Sequence, residues 1–396
     1  MKYSLACCFL THNHPDVVKE ILDRCLKVYE DHGVDICMYD DSDDDTTRTL
    51  VDEYISAGAT NLYYVDIHEA INGDHKYYLL MQGYGLPKDY DYIWPSKDRV
   101  CFEFTYLDKV CEAIDEGHDV IIGNCELSRW DVGINVLQDV YTEPTEFYRK
   151  YSWVSTNWEA LIRKRNTMLK PVNWGEYEKK YNIGASCPFN QTITLFARLS
   201  ELESSSIKIC RYEYEEIFIS QKYHSAWGNV MFELWIDKWV SANFSLPAVY
   251  DKYKSEAIKA ETNLDELFGS VERFILYKED GLYNRAIFDK YKDIWPFVTE
   301  IPPEYLRMIA DDDYSGAIKG TINDFEQCFV SRDFPKAWWI ISANPWLNKV
   351  YNEKMYSVLV AYFNQYRKDM MRFGSSAVFD GINSIQNLRD RHNIDG

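Results

Sequence analysis

The chain has 396 residues, of which 46% are hydrophobic and 27% charged, enough for about two or three domains of roughly 150 residues each. A formal net charge of -20 opposes binding to a nucleic-acid backbone and broad adsorption to an anionic membrane, because both need clustered Lys and Arg. The 10 cysteines show no Cys-x-x-Cys pair and no zinc spacing, which favours buried thiols in a reducing compartment. The apolar run at the start is too short for a signal peptide, and no stretch approaches a membrane span. We therefore expect a cytoplasmic chain, with peripheral association at the inner membrane face left open.

Apolar runs and helical spacings alternate over the first part of the chain. Apolar runs predict strands, at 4–10, 35–39, 62–65, 90–94 and 120–123. Apolar residues at helical spacing predict helices between them, at 17–29, 46–56, 77–82 and 107–114. Strands that alternate with helices of this size imply right-handed crossovers and a mostly parallel sheet.

The alternation weakens beyond residue 124. The tryptophan-containing polar stretch 126–180 predicts loops and short helices over the carboxyl edge of the sheet, and its basic triplet 163–165 is interpreted as a solvated helix end. From residue 250 nearly every segment has helical spacing, notably 264–277, 318–330 and 351–373. We therefore place a domain boundary near residue 248.

Polar side chains follow the predicted strands at the edge where open parallel sheets bind ligands. They stand in four places of the sequence, which are Thr11 and Asn13, Asp40 and Asp41, Lys76, and the segment from Ser96 to Arg99. The remaining aspartates of the acidic turn, at 43–45, are expected to cap the next helix. The sequence has neither a Gly-x-Gly-x-x-Gly fingerprint after the first strand nor a Walker loop. A nucleotide at this edge would therefore be held by side chains, with carboxylates on base and ribose, Lys near the diphosphate and Asp on a divalent ion.

The order of these motifs resembles the family 2 glycosyltransferases of the GT-A fold. The segment 4–13 is similar to that family's opening strand, and 38–46 is similar to its Asp-Asp-Gly-Ser-x-Asp-x-Thr motif. The stretch from Lys76 resembles the basic residue before the family's small-residue helix, and 91–98 resembles the strand that ends in its metal-binding Asp-x-Asp. The resemblance covers residues 3–125 and, more loosely, 126–245.

The resemblance implies an α/β chain, with a Rossmann-like, mostly parallel GT-A domain at 1–248 and a mainly α-helical domain at 249–396. The implied activity is transfer of a sugar from a nucleoside diphosphate donor, with a UDP-sugar favoured, to a hydroxyl of a glycan, glycoprotein or lipid-linked acceptor. The family implies inversion, and the missing acidic pair described below leaves retention open. Such an enzyme serves polysaccharide or glycoconjugate biosynthesis. The helical domain is expected to bind the acceptor or to form a homo-oligomer.

The resemblance also assigns roles to side chains. The residues it implies for the nucleotide-sugar are Thr11, Asn13, Asp40, Asp41, Lys76 and Ser96. Asp98 is implied as the ligand of Mn²⁺ or Mg²⁺ and as a catalytic residue. Because Ser96-Lys97-Asp98 stands where the family has Asp-x-Asp, either Asp98 alone anchors the metal or its basic neighbours, Lys97 and Arg99, partly replace it.

A second departure concerns the catalytic base. Asn190 and Gln191 stand where the family has an acidic pair, and amides cannot take a proton from an acceptor hydroxyl. Asp131 and Glu126 are the candidate bases, and the alternative is that both are loop carboxylates paired with Arg129.

These departures leave a function of another class open. The chain is alternatively a catalytically inactive GT-A-like binding or scaffolding subunit of a glycosylation complex, with the helical domain as its partner surface. An unrelated α/β nucleotide-binding enzyme is the third hypothesis.

Overall fold

The computed structural model describes residues 1–69, 71–123, 140–184, 187–211, 216–220, 230–262 and 267–331, together with 333, 336–337, 340–341, 344 and 347. The described residues divide into two compact units, the second of which begins at Ile258. The predicted boundary near residue 248 stays a prediction.

The first unit is built on a mostly parallel sheet. The strands in chain order are β1 (Leu5–Thr11), β2 (Val34–Asp40), β3 (Leu62–Asp66), β4 (Tyr92–Lys97), β5 (Val100–Phe102), β6 (Val120–Gly123), β7 (Val140–Tyr141), β8 (Leu161–Lys164), β9 (Ile207–Cys210) and β10 (Ile217–Ile219). Eight of them form one sheet in the order β3-β2-β1-β4-β8-β6-β9-β7, and β5 pairs with β10 in a separate antiparallel ribbon. The four strands β3, β2, β1 and β4 are mutually parallel, so their carboxyl ends meet at one edge.

Helices connect the strands of the first unit. They are α1 (Pro15–Asp31), α2 (Thr46–Ser56), α3 (Gly73–Met81), α4 (Phe104–Glu116), α5 (Pro144–Tyr151), α6 (Trp174–Tyr181), α7 (Asn190–Leu199), α8 (Val240–Ser245) and α9 (Lys254–Thr262), the last of which runs across the division between the units. Shorter helical segments follow at Ser152–Thr156, Trp158–Ala160, Arg165–Leu169, Glu233–Trp239 and Ala248–Tyr253.

The core of this unit follows from the apolar patterns. Every residue of β1 is buried, as expected for a parallel strand with both faces covered. Helix α1 buries one apolar face that includes Val18, Ile21 and Leu22 against this core. The helix has proline in its first turn, and Gly33 just after it has a φ of 69°, a left-handed conformation that favours glycine.

Two local predictions are wrong, because tertiary contacts override the sequence pattern. Helix α3 begins at Gly73, before the predicted start at 77, so Lys76 lies inside the helix. The triplet 163–165 is no solvated helix end, since Arg163 lies in β8 and is only 1% exposed. Strand β8 runs antiparallel between β4 and β6. Its pairing with these two strands, more than its partly polar sequence, makes this segment a strand.

The second unit is helical over its described residues, which confirms that part of the predicted fold class. Its further helices are α10 (Val271–Glu279), α11 (Arg285–Lys290), α12 (Trp295–Val298), α13 (Pro303–Ala310) and α14 (Tyr314–Ser331). Trp295 is fully buried and lies with its ring centroid 5.7 Å from that of Phe274 and 6.0 Å from that of Tyr283. The helix predicted at 351–373 lies outside the described residues. No helix of the described part is both long enough and apolar enough to cross a membrane.

Candidate functional site

The candidate site lies where the strand order of the parallel sheet reverses. From β1 the chain adds β2 and β3 on one side and β4 on the other, and ligands of open α/β sheets bind at such a switch point. Thr11 ends β1, and Asp98 directly follows β4. The Thr11 hydroxyl donates a hydrogen bond of 2.8 Å to Asp98 Oδ2, so the two strand ends are joined by a polar pair.

Asp98 has one oxygen bound within the protein. Its Oδ2 also lies 2.9 Å from Nδ1 of His14, the residue just before α1, and this hydrogen bond raises the pKa of His14. The residue is only 7% exposed, and no hydrogen bond to Oδ1 is found within the described part of the chain. The structure thus holds Asp98 in one orientation through Oδ2. Its predicted role as a metal ligand stays a prediction.

Lys76 is buried and joins α3 to the ends of two strands. Its Nζ donates to Asp41 Oδ1 at 2.6 Å and to the Thr11 carbonyl at 2.5 Å. Lys76 is 3% exposed, and the second oxygen of Asp41 accepts the backbone N–H of Ile71 at 2.7 Å. Because Asp41 compensates its charge, Lys76 fixes the first turns of α3 on the sheet. Its predicted contact with a diphosphate stays a prediction.

Both carboxylate oxygens of Asp40 accept hydrogen bonds from within the protein. Its Oδ1 accepts the backbone N–H of Ser42 at 3.0 Å and the Ser42 hydroxyl at 2.5 Å, and its Oδ2 accepts the Tyr64 hydroxyl at 2.9 Å. Asp40 is 1% exposed. The carboxylate therefore shapes the loop after β2, and its predicted contact with the nucleoside stays a prediction.

Asn13 links the loop after β1 to the loop after β2. Its φ of 55° is left-handed, which Asn tolerates better than most residues. Its backbone N–H donates to the Ser42 hydroxyl at 2.8 Å, and its side-chain amide pairs with Asp43 through bonds of 2.7 and 2.9 Å. Asp44 accepts the Thr46 N–H at 2.9 Å, and the side-chain and backbone hydrogen bonds from Thr46 lower the pKa of Asp44. The N-cap residue of α2 is Asp45, and its side chain makes no capping hydrogen bond. Asp43 instead holds Asn13, so the capping predicted for 43–45 is not found in this form.

Ser96 and Lys97, in the segment from Ser96 to Arg99, both have partners within the protein. Ser96 is 1% exposed within β4, and its hydroxyl faces the carbonyls of Lys97 at 3.4 Å and Val100 at 3.5 Å. Lys97 forms an ion pair of 3.0 Å with Glu159, a residue that no sequence motif indicates. The charge of Lys97 is therefore compensated within the protein.

The neutral pair at the start of α7 has structural partners. Asn190 donates to the Gly184 carbonyl at 2.7 Å and accepts the Gly184 N–H at 2.9 Å. The side-chain amide of Gln191 donates to the Thr156 carbonyl at 3.2 Å. The backbone carbonyl of Gln191 accepts from the buried guanidinium of Arg163 at 2.5 Å. The candidate bases Asp131 and Glu126, and their alternative partner Arg129, lie outside the described residues.

The comparisons with known proteins complete the description. No family model matches the sequence, and no curated protein matches it. Among solved structures, residues 1–349 of S. aureus TarS in complex with UDP-GlcNAc are 13% identical, with 79% of this chain and 89% of that chain covered and a TM-score of 0.48.

Two further matches are more distant. The mannosyltransferase PcManGT from Pyrobaculum calidifontis, in complex with GDP-Man and Mn²⁺, is 9% identical, with 100% of this chain and 89% of that chain covered and a TM-score of 0.37. Glucosyl-3-phosphoglycerate synthase from Mycobacterium tuberculosis, in complex with Mn²⁺, UDP-glucose and phosphoglyceric acid, is 10% identical, with 62% and 81% covered and a TM-score of 0.37. The chain is thus similar to solved glycosyltransferase structures, as its motifs predict.

Proposed function

We propose that this chain is a glycosyltransferase that moves a sugar from a nucleoside diphosphate donor to a hydroxyl of a glycan, glycoprotein or lipid-linked acceptor. The observation that carries the proposal is the orientation of the Asp98 carboxylate at the switch point of the parallel sheet. Its Oδ2 is bound by Thr11 and His14, and its Oδ1 has no hydrogen bond from a described residue. The counter-ion of a diphosphate is commonly bound by such a carboxylate oxygen, and ligands of open α/β sheets lie at the carboxyl ends of the strands.

The donor is proposed to lie along the ends of β1, β2 and β4. Thr11, Asn13, Asp40 and Asp41 belong to the two loops that are joined there, and we assign the nucleoside to this side. We assign Lys76 and Ser96 to the side of the donor that carries the diphosphate. A UDP-sugar is the first candidate donor.

The residues present fit a divalent ion that arrives together with the diphosphate. In the described part of the chain, no group of three or more His, Cys, Asp and Glu is placed to hold a metal ion by itself. Mg²⁺ and similar ions are nevertheless commonly bound through one or two carboxylates plus substrate phosphates, which Asp98 Oδ1 can satisfy. When bound, the ion would offset the charge that develops on the leaving nucleoside diphosphate.

The protein's own residues orient the reacting groups. Thr11 and His14 hold Asp98, and Lys76 holds α3 against the end of β1. Fixed positions of this kind lower the entropy cost of bringing the donor and acceptor together.

The test is release of nucleoside diphosphate from UDP-, GDP- and dTDP-sugars, with Mn²⁺ or with a chelator, beside thermal stabilisation by UDP. We expect turnover of one donor in the wild type and its loss in Asp98→Asn, an exchange that keeps the shape of the side chain and removes its charge. Asp52→Asn is the matched control, because Asp52 is an exposed carboxylate of α2. Turnover that survives in chelator would show that the metal is dispensable.

The second candidate function is the catalytically inactive binding or scaffolding subunit. The single carboxylate at Asp98 and the neutral, structurally engaged Asn190 and Gln191 favour it. Stabilisation by UDP without turnover of any donor would support this alternative. Absence of both stabilisation and turnover would contradict a nucleotide-sugar function.

A further inference from the structure

Asp74 lies in the first turn of α3, two positions before Lys76. Lys76 ties this part of the helix to the Thr11 carbonyl and to Asp41, and residues of one helical turn are separated by only about 5 Å along the axis. The Asp74 backbone is therefore held next to the end of β1, where Thr11 contacts Asp98.

Two other segments enclose the start of α3. The side-chain amide of Asn190 donates to the Asp74 carbonyl at 3.4 Å, which joins this turn to the beginning of α7. On another side the Trp158 indole packs so closely on Gly73 that a Cβ there would lie 2.6 Å from the ring. Asp74 is thus surrounded by protein and still partly exposed.

The Asp74 carboxylate has no hydrogen bond or ion pair with any residue that the structure describes. Its burial raises its pKa to about 7, because the charged form loses solvation without gaining a partner. A carboxylate kept in this state costs stability, so such groups are found preferentially at functional sites.

The other titratable groups near Asp74 are a buried cysteine, two lysines and a histidine. Cys187, from the segment before α7, has a pKa raised to about 11, chiefly by burial and in part by Asp74. Lys238, in Glu233–Trp239, acts on Cys187 in the opposite direction. On α3 itself, Lys76 is occupied by Asp41, and His75 is the neighbouring residue in sequence. Asp74 is thus the carboxylate among these groups, and its side chain has no hydrogen bond or ion pair with a described residue.

We propose that Asp74 is the general base of the transfer, an inference that rests on the proposed function. The acceptor O–H proton moves to the Asp74 carboxylate, and the acceptor oxygen forms the new bond to the anomeric carbon of the sugar. The bond from that carbon to the diphosphate oxygen breaks, and its electron pair leaves with the nucleoside diphosphate. The amides of Asn190 and Gln191 cannot accept this proton, and the unpartnered carboxylate on the adjacent turn can.

The test compares Asp74→Asn, Asp74→Glu and the control Asp52→Asn in the full chain. Because the acceptor is unidentified, water serves as the acceptor, and the release of nucleoside diphosphate from the wild type's donor is measured between pH 5.5 and 9. We expect kcat of Asp74→Asn to fall by about 10² to 10⁴, with the KM for the donor and the thermal stabilisation by UDP unchanged. Wild-type kcat should rise with pH towards a plateau above about 7, and this rise should be absent in Asp74→Asn and retained in Asp74→Glu.

Thermal stability supplies a readout that needs no turnover. The folded-state pKa of Asp74 lies above its ordinary value of 3.8, so the wild type loses stability as the pH rises from that value through about 7. Asp74→Asn carries no such charge, and its melting temperature should exceed that of the wild type at pH 8 and match it near pH 4. Equal melting temperatures at pH 8 would overturn the unpaired, desolvated carboxylate on which the proposal stands.

The two proposals fail in different ways. If the wild type releases nucleoside diphosphate and Asp74→Asn does so at the same rate, Asp74 is not the base and the proposed function is unaffected. The same holds if Asp74→Asn loses stabilisation by UDP in parallel with turnover, because the residue then serves donor binding or folding. A wild type that is not stabilised by UDP and releases no nucleoside diphosphate from any donor overturns the proposed function and this inference together.

Discussion

At the scale of single residues, the candidate site is a set of buried polar groups that compensate one another. Thr11 is central, because its hydroxyl binds Asp98 while its carbonyl binds Lys76. Lys76 or backbone and hydroxyl donors compensate the charges of Asp40 and Asp41, and these two carboxylates thereby hold the loops to which the nucleoside is proposed to bind. Asp98 Oδ1 and Asp74 differ from them, since they have no hydrogen-bond donor among the described residues, and chemistry is assigned to these two.

The buried pair of Lys76 and Asp41 gives a stability prediction. Lys76→Met keeps most of the volume and removes the ammonium group from Asp41, whose Oδ1 then keeps only the His12 ring at 3.1 Å. Breaking one side of a buried pair costs about 3 to 5 kcal/mol. Urea unfolding followed by circular dichroism measures the loss. Lys19→Met is the control, because the pair of Lys19 with Asp23 is exposed and its removal should change nothing measurable. A loss no larger than in the control would show that Lys76 is not buried against Asp41.

At the scale of elements, the position of α3 decides the geometry around the site. The sequence predicts this helix too short, because the residues before 77 are polar and lack helical spacing. In the structure the Asn72 side chain caps the helix by accepting the N–H of His75, and Lys76 anchors it. The start of α3 is therefore fixed by contacts with distant parts of the chain.

Packing at this helix start gives a prediction with a control inside the same fold. Gly73→Ala would place a Cβ 2.6 Å from the Trp158 ring, and overpacking of this kind costs about 1 to 3 kcal/mol. Gly175→Ala, also in the first turn of a helix, meets no atom closer than 3.8 Å and should be neutral or stabilising, since alanine favours helices over glycine. Thermal unfolding compares the two, and Trp158→Leu in the Gly73→Ala background should recover stability. An equal effect of both glycine substitutions would contradict the close contact.

At the scale of the whole molecule, all proposed donor residues belong to the first of the two compact units. The sequence places the boundary near residue 248, where the character of the chain changes. Tyr250 lies beyond that point and is fully buried, with its ring 4.7 Å from that of Tyr148 and its hydroxyl bound to the Phe196 carbonyl at 2.9 Å. We therefore propose a boundary after Ala257.

Two fragments test the boundary. The fragment 1–257 keeps Tyr250 and should unfold cooperatively, whereas 1–248 lacks it and should be less stable by about 3 to 5 kcal/mol, the range for loss of a large buried aromatic side chain. Urea unfolding of both fragments, monitored by tryptophan fluorescence, provides the comparison. Equal stability of the two would favour the boundary near residue 248.

The sequence by itself determined the parts of this protein that depend on local patterns. Alternating apolar runs and helical spacings predict β1, β2, β3 and β6, because a buried parallel strand and an amphipathic helix each leave a period in the sequence. Polar residues directly after the strands predict that Thr11 and Asp98 lie at one edge, since parallel strands bring their carboxyl ends together.

Only the tertiary structure decided what these residues contact. Strand β8 enters the sheet through pairing with β4 and β6, and the burial of Arg163 follows from that pairing. The ion pair of Lys76 with Asp41 joins segments that are far apart in the chain. The lack of a described side-chain partner for Asp74 likewise depends on segments distant in the chain, such as the start of α7. Burial and partnership are set by such long-range contacts, and a single sequence without relatives records the type of each side chain but not its neighbours.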